Sequence, residues 1–116
     1  MEFIDHLEIF YWEECEGYGL RTTKTIRKGE VILLEPVIEL PNMAIENNIL
    51  QDYVFEDGVN EYISYLVHKG CYLNETREVP PNAEHGFRYD ERTERSIFEL
   101  TATADIEKGQ QIFIEY

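Results

Sequence analysis

Few side chains in this sequence could carry chemistry, and most of them do not cluster. Histidines stand at His6, His68 and His85, scattered along 116 residues and never in a helical His-Glu pair. A lone histidine is more often a surface or core residue than a ligand. Cys15 and Cys71 are too few for a disulfide framework, and four closely spaced zinc ligands are lacking, so no metal site is expected. Adjacent carboxylates such as Glu13-Glu14 read as a solvated face rather than an acid–base couple. What is left is a set of short motifs in a fixed order. Gly17-Tyr18-Gly19-Leu20 comes first, then Thr25-Ile26-Arg27-Lys28-Gly29-Glu30. Gly70-Cys71-Tyr72-Leu73-Asn74 and Pro81-Asn82-Ala83 follow. The last is Ala102-Thr103-Ala104-Asp105-Ile106-Glu107-Lys108-Gly109-Gln110-Gln111-Ile112, which leads to Tyr116. Glycines at 17 and 19 would let backbone groups approach a ligand closely, although the same residues also make a simple β-turn. Asn74 suits a turn or cap as well as a polar contact.

In this order and spacing the motifs resemble those of the SET-domain lysine methyltransferases, from about Leu7 to Tyr116. In that family an early Gly-x-Gly precedes a basic-Gly-Glu turn. An Asn-His-Ser-x-x-Pro-Asn segment follows, and Ala-x-x-Asp-Ile-x-x-Gly-Glu-Glu leads into the catalytic tyrosine. Gly-x-Gly and Asp-Ile-x-x-Gly say little alone; their order, with Pro-Asn-Ala between them, carries the likeness. Small viral and bacterial SET proteins of this length are the nearest match. The resemblance implies a β-clip-like fold of several small sheets with a C-terminal pseudoknot, and S-adenosylmethionine as cofactor. It places Glu16, Gly17, Tyr18 and Gly19 at the cofactor's methionine end, Asn74 at its amino group and adenosine end, and Glu75 beside the adenine. It makes Tyr116 the catalytic residue, whose hydroxyl orients the target lysine and the methyl group for in-line displacement. A lysine arrives protonated, with a solution pKa of about 10.4, and a dry aromatic channel lowers that value by desolvation. Tyr53, Phe55, Tyr72 and Ile114 are the expected channel residues. Ile114 lacks a water-holding hydroxyl, which points to more than one methylation.

The sequence departs from the family at several positions. Glu75 and Thr76 replace the usual histidine and serine, and the stretch from Asn74 to Pro81-Asn82 is two residues longer. Gln110-Gln111 replaces Glu-Glu. The zinc module or closing helix that follows the tyrosine in many relatives is not seen after Tyr116. A partner subunit or the substrate is one source of that wall, and relatives of this size can form homodimers.

These residues need a scaffold, and composition favours a mostly-β one: Ala is scarce and Ile, Val, Tyr and Thr are common. Residues 1–116 suffice for one SET domain, with 43% hydrophobic residues to build its core. Strands are expected at Leu7–Trp12, Leu20–Thr25, Val31–Glu35, Val37–Leu40, Tyr53–Phe55, Ser96–Thr103 and Gln111–Tyr116, with breaks at Pro36 and Pro41. Glu13–Gly19 reads as a charged turn, and Glu56-Asp57-Gly58 as another. Asn42–Asn48 reads as a loop with one helical turn. Tyr62–His68 fits a short helix or a buried strand, and Lys69–Arg95 is mostly irregular. The likeness of Thr25–Ile32 to Asp105–Ile112 reads as two similar local hairpins.

The formal net charge is −14, from 24 acidic and 10 basic residues. Such a surface repels nucleic acid and anionic lipid and attracts basic peptides, though it equally serves solubility. The N-terminus lacks a signal peptide's basic and apolar regions, and no apolar run is long enough to span a membrane, so an intracellular, soluble protein is expected. If the protein is viral, that means the cytoplasm or nucleus of its host. The function expected is methylation of a lysine in a basic protein or peptide. The alternatives are a catalytically weak or dead SET-like module that binds basic proteins, and an acidic β-domain that mimics nucleic acid. The last leaves the ordered motifs unexplained.

Overall fold

The structure, a computed structural model, describes residues 2–46, 49–56 and 62–116. The larger sheet contains β1 (Ile4–Asp5), β4 (Val31–Pro41), β5 (Val54–Phe55), β6 (Ile63–Val67), β7 (Ala83–Asp90) and β8 (Arg95–Ala102). Its order is β5-β6-β4-β8-β7, with β1 on β4. A separate hairpin pairs β2 (Leu7–Trp12) with β3 (Gly17–Thr22). Helix among the described residues is limited to α1 (Asn42–Ile45) and 3-10 turns at Glu13–Cys15, Ile49–Asp52 and Gly70–Tyr72. The mostly-β expectation holds. Val54–Phe55 and Ser96–Ala102 fall in strands as expected, and Tyr62–His68 resolves as strand β6. Asn47, Asn48 and the Asp57-Gly58 part of the expected turn lie outside the described residues.

Prolines do not break β4. Its first half pairs with β8 as far as Pro36↔Ile97, and its second half pairs with β6 from Val37↔Val67 onward. Pro36 therefore sits where one ladder ends and the next begins, so its missing N–H costs little pairing. Lys69–Arg95 is also more regular than expected. Continuous pairing from Ala83↔Ala102 to Asp90↔Arg95 holds β7 against β8. The polar composition of β7 is that of an edge strand with a wet face, where Glu84 and Arg88 keep their charges in solvent.

The two Lys-Gly turns are not independent hairpins; they pair with each other. Ile26 and Ile106 exchange backbone hydrogen bonds of 2.8 Å in both directions. On either side the pattern repeats with the roles swapped. Gly29 N–H donates to the Ala102 carbonyl and Gly109 N–H to the Thr22 carbonyl, both at 2.9 Å. Ala102 N–H donates to Glu30 at 2.9 Å and Thr22 N–H to Gln110 at 3.1 Å. Gly29 and Gly109 have φ of +90° and +87°, left-handed values that disfavour any side chain. Ile26, Ile32, Ile106 and Ile112 are all fully buried, so this clip lies at the centre of the core with Leu20, Phe98 and Leu100.

Beyond the clip the chain does not form the expected strand over Gln111–Tyr116. It makes isolated bridges at Arg21↔Gln111 and, in parallel, at Asn74↔Phe113. Its backbone bonds go to three separate segments. Ile112 N–H donates to Leu20 at 2.9 Å, Ile114 N–H to Asn74 at 3.0 Å, and Phe113 accepts from Asn82 N–H at 3.1 Å. The Asn82 amide adds a bond at each end, donating to the Gln111 carbonyl and accepting from Phe113 N–H, both at 2.9 Å. This threading of the C-terminal segment between loops is the pseudoknot. Since Ile106 sits at the clip with no exposed surface, Ile106→Ala should lower the unfolding free energy by about 2–5 kcal/mol. Urea denaturation read by circular dichroism should show the midpoint fall at constant slope.

Candidate active site

The first glycine motif lies on a strand rather than in a turn. The turn before it spans Glu13–Glu16, closed by Glu16 N–H on the Glu13 carbonyl at 3.2 Å, with Glu16 left-handed at φ +54°. Gly17 then opposes Trp12, and Gly19 opposes Phe10. Cross-strand pairing with the aromatic-rich β2 outweighs the turn tendency of glycine here. The two glycines differ in their surroundings. A Cβ on Gly19 would stand 2.5 Å from Gln111 Nε2, 3.0 Å from Asn74 Nδ2 and 3.2 Å from Phe10, whereas one on Gly17 would meet only the Cys15 carbonyl at 3.9 Å. The Tyr18 ring packs edge-on against Tyr11 at 5.6 Å and Tyr72 at 6.1 Å.

Asn74 ties this strand to the threaded segment. Its Nδ2 donates to the Tyr18 carbonyl at 2.9 Å, and its own carbonyl accepts from Ile114 N–H at 3.0 Å. Only the NH2 end can donate to a carbonyl, so Oδ1 is turned away from Tyr18. Behind Gly19, Gln111 Nε2 is buried and has no hydrogen-bond partner.

Tyr116 is held against the same loop. Its hydroxyl donates to the Leu73 carbonyl at 2.6 Å, and its N–H donates to Glu75 Oε2 at 2.8 Å. Its ring stacks on Phe55 at 5.7 Å and 20°, with His85 at 6.5 Å. The residue as a whole is 64% exposed, so part of it stays open while the hydroxyl is tucked against Leu73. Desolvation, reinforced by Cys71 and Glu75, pushes the phenol up to about 12. His85 is lowered from its usual value by burial. A cleft of about 560 Å³ opens beside Tyr116, lined by residues 75–81 and 114–116.

Of the expected site residues, Tyr18, Gly19, Asn74, Glu75, Ile114 and Tyr116 come together around the threaded segment. Ile114 is 1% exposed and lines the cleft. Phe55 reaches Tyr116, whereas Tyr72 packs on Tyr18 instead. Tyr53 is half-exposed and its N–H bonds to Leu50; Glu16 and Gly17 sit at the hairpin turn. Three contributors escaped the sequence reading. The Leu73 carbonyl is a backbone group without a side-chain signal. His85 was one of three scattered histidines until the sheet brought β7 near β5. Gln111 counted only as a departure from Glu. Among the described residues no three His, Cys, Asp or Glu side chains are grouped to hold a metal ion, and no helix is long and apolar enough to cross a membrane.

The SET domain family profile matches residues 17–116, and the chain belongs to that family. Its fold matches that of a candidate histone methyltransferase from Plasmodium falciparum, with a TM-score of 0.80 and 24% identity over 97% of this chain and 93% of that one. It also matches the Chaetomium thermophilum Polycomb Repressive Complex 2 in an autoinhibited conformation bound to S-adenosylmethionine, with a TM-score of 0.77 and 18% identity. That match covers 97% of this chain but only 15% of the other. A humanised mutant of the same complex, bound to the inhibitor GSK126, gives the same TM-score, identity and coverage. No curated protein matches the sequence.

S-adenosylmethionine is the cofactor of SET methyltransferases, and the residues present suit it. Asn74 Oδ1 offers an acceptor to an ammonium group. The unpaired Gln111 Nε2 is a donor with no partner of its own. The open space beside Gly17 leaves room for a ligand to approach its backbone.

Two predictions arise from this geometry. Gly19→Ala should displace the Asn74 side chain from the Tyr18 carbonyl, while Gly17→Ala should not. The side-chain amide resonances of Asn74 would register the difference. The raised Tyr116 value means that the neutral phenol is favoured by the fold. Its contribution to stability should be whole below pH ~10 and vanish as pH rises to about 12. Alkaline unfolding should therefore be shallower in Tyr116→Phe than in the wild type across that window.

Proposed function

We propose that this chain, as a single SET domain over residues 1–116, transfers methyl groups from S-adenosylmethionine to a lysine of a basic protein. The observation that carries this reading is the placement of Tyr116. Its phenol rests on the Leu73 carbonyl, one residue before the asparagine that is bonded to the glycine-motif strand. When bound, S-adenosylmethionine supplies an electrophilic methyl group on a sulfonium. Asn74 Oδ1 would be the acceptor for the amino group at the cofactor's methionine end. The aromatic faces of Phe55 and Tyr116 favour a cation beside them.

A lysine Nζ must lose its proton before it can attack, and that proton leaves to water. The apolar surfaces of Phe55, Ile114 and the phenol ring would lower the cost of an uncharged amine packed against them. Tyr116 is itself protonated at neutral pH, so it acts as a positioned hydroxyl rather than as a phenolate base. Donation to Leu73 leaves the phenol oxygen's lone pairs free to interact with an amine or the methyl group. Ile114 brings no hydroxyl to hold a water in the cleft, which favours addition of more than one methyl. The excess of 24 acids over 10 bases draws a basic segment toward the site and disfavours nucleic acid.

The test is transfer of radiolabelled methyl from S-adenosylmethionine to basic proteins. Tyr116→Phe, folded by circular dichroism, should lose about a hundredfold or more in rate. Wild-type rates in that variant would remove Tyr116 from the chemistry. A folded wild-type protein that transfers no label would be a binding module instead.

A further inference from the structure

Residues 73, 74 and 75 each grip the end of the threaded segment, and each does so differently. Leu73 offers its carbonyl to the Tyr116 hydroxyl, and Asn74 offers its carbonyl to Ile114 N–H. Glu75 is the one that uses a side chain, and its Oε2 takes the Tyr116 N–H at 2.8 Å. Residues 115 and 116 belong to no strand, so no ladder fixes the backbone at Tyr116. The Glu75 carboxylate is thus the main-chain anchor nearest the phenol. The phenol is held at its far end by a neutral hydrogen bond, and its ring by a stack with Phe55. With the anchor removed, the backbone of Tyr116 would be free to swing about Ile114. The ring would then leave Phe55, and the hydroxyl would leave Leu73. Charge-assisted bonds from backbone N–H to carboxylate are among the stronger ones available to an exposed segment.

We propose that Glu75 is a positioning residue for Tyr116, fastening its backbone amide so that the phenol stays on the Leu73 carbonyl at the cleft. The bond needs an acceptor rather than a charge, so Glu75→Gln keeps the anchor and Glu75→Ala removes it. The negative charge has a separate effect, since it opposes phenolate formation. The two substitutions therefore separate geometry from electrostatics.

The experiment labels tyrosine rings with carbon-13 and assigns Tyr116 by comparison with Tyr116→Phe, in the full chain. In Glu75→Ala the Tyr116 ring signals should move to the values of a solvent-exposed tyrosine, and its ionisation midpoint should fall from about 12 toward ~10. In Glu75→Gln the ring signals should stay near wild type while the midpoint falls only part of the way. Circular dichroism should show both variants folded at the assay temperature, which separates positioning from folding. Wild-type ring signals and midpoint in Glu75→Ala would overturn the proposal, as would equal ring displacement in Glu75→Gln. The turnover arm rests on the methyltransferase reading. Glu75→Ala should lose about tenfold to a hundredfold in rate and Glu75→Gln distinctly less. If wild type itself transfers no methyl, that reading fails, while the ring signals still decide the role of Glu75.

Discussion

The reciprocal pairing of the two Lys-Gly turns fixes where the rest of the chain can go. Ile26 and Ile106 exchange their backbone bonds in a region with no exposed surface, so neither turn can shift without leaving buried polar groups unpaired. Gly109 lies three residues beyond that pair and redirects the chain, its N–H on the Thr22 carbonyl and its φ at +87°. From there the backbone passes between Leu20 on one side and Asn74 and Asn82 on the other. The five residue steps from Gln111 to Tyr116, each at most about 3.3 Å, limit the reach of this segment to about 17 Å. Tyr116 is therefore delivered to its position by a measured length of chain starting from the most rigid point of the core.

Segments without a ladder of their own are held by side chains that bond in two places. Asn82 holds Gln111 and Phe113 with the two ends of one amide, in place of the ladder that a further strand pairing would have supplied. Glu35, only 7% exposed, does the same for the approach to the site. It accepts from Lys69 N–H at 3.0 Å and Gly70 N–H at 2.8 Å, which sets the 3-10 turn leading into Leu73 and Asn74. A buried carboxylate with two backbone donors offsets its own desolvation and leaves those amides no competing partner. Lys69 then reaches Asp5 at 2.5 Å and the Leu7 carbonyl at 2.9 Å, linking the turn to the first strands. The loop that grips Tyr116 is thus braced by residues far from it in sequence.

What could be read from sequence was whatever a local pattern determines. β2 and β8 alternate or run apolar between clear turns, and their extents follow from that. β4 hid behind Pro36 because a sequence does not reveal that two different partners share one strand. β7 hid behind its charges because an edge strand needs only one dry face. Gln111–Tyr116 has the same alternation as a strand, yet its hydrogen bonds are dispersed among three loops. The site divides along the same line. Asn74, Tyr18 and Tyr116 were legible from the order of short motifs. The Leu73 carbonyl, the double grip of Asn82 and the approach of His85 depend on contacts distant in sequence, and local patterns carry no trace of them.

The glutamines at 110 and 111 show which parts of the family pattern depend on charge. Gln110 Oε1 accepts from Glu107 N–H at 3.1 Å, the counterpart of Glu30 Oε1 accepting from Arg27 N–H at 3.0 Å. An acceptor is all that either turn requires, so an amide serves as well as a carboxylate. At Gln111 the buried Nε2 lies behind Gly19, where a carboxylate would add an unpaired charge to an interior in a protein already at −14. In the proposed reaction, negative charge would help farther out, by attracting a basic segment, but close to a target lysine it would hold the proton on. The arrangement around Tyr116 respects that difference. Phe55 stacks on the neutral phenol, Ile114 lies in the same cleft, and Glu75, which lines that cleft with Glu78 and Glu115, is bonded to the Tyr116 amide. In the proposed reaction, long-range attraction and local desolvation would act on one lysine without opposing each other, because they act at different distances.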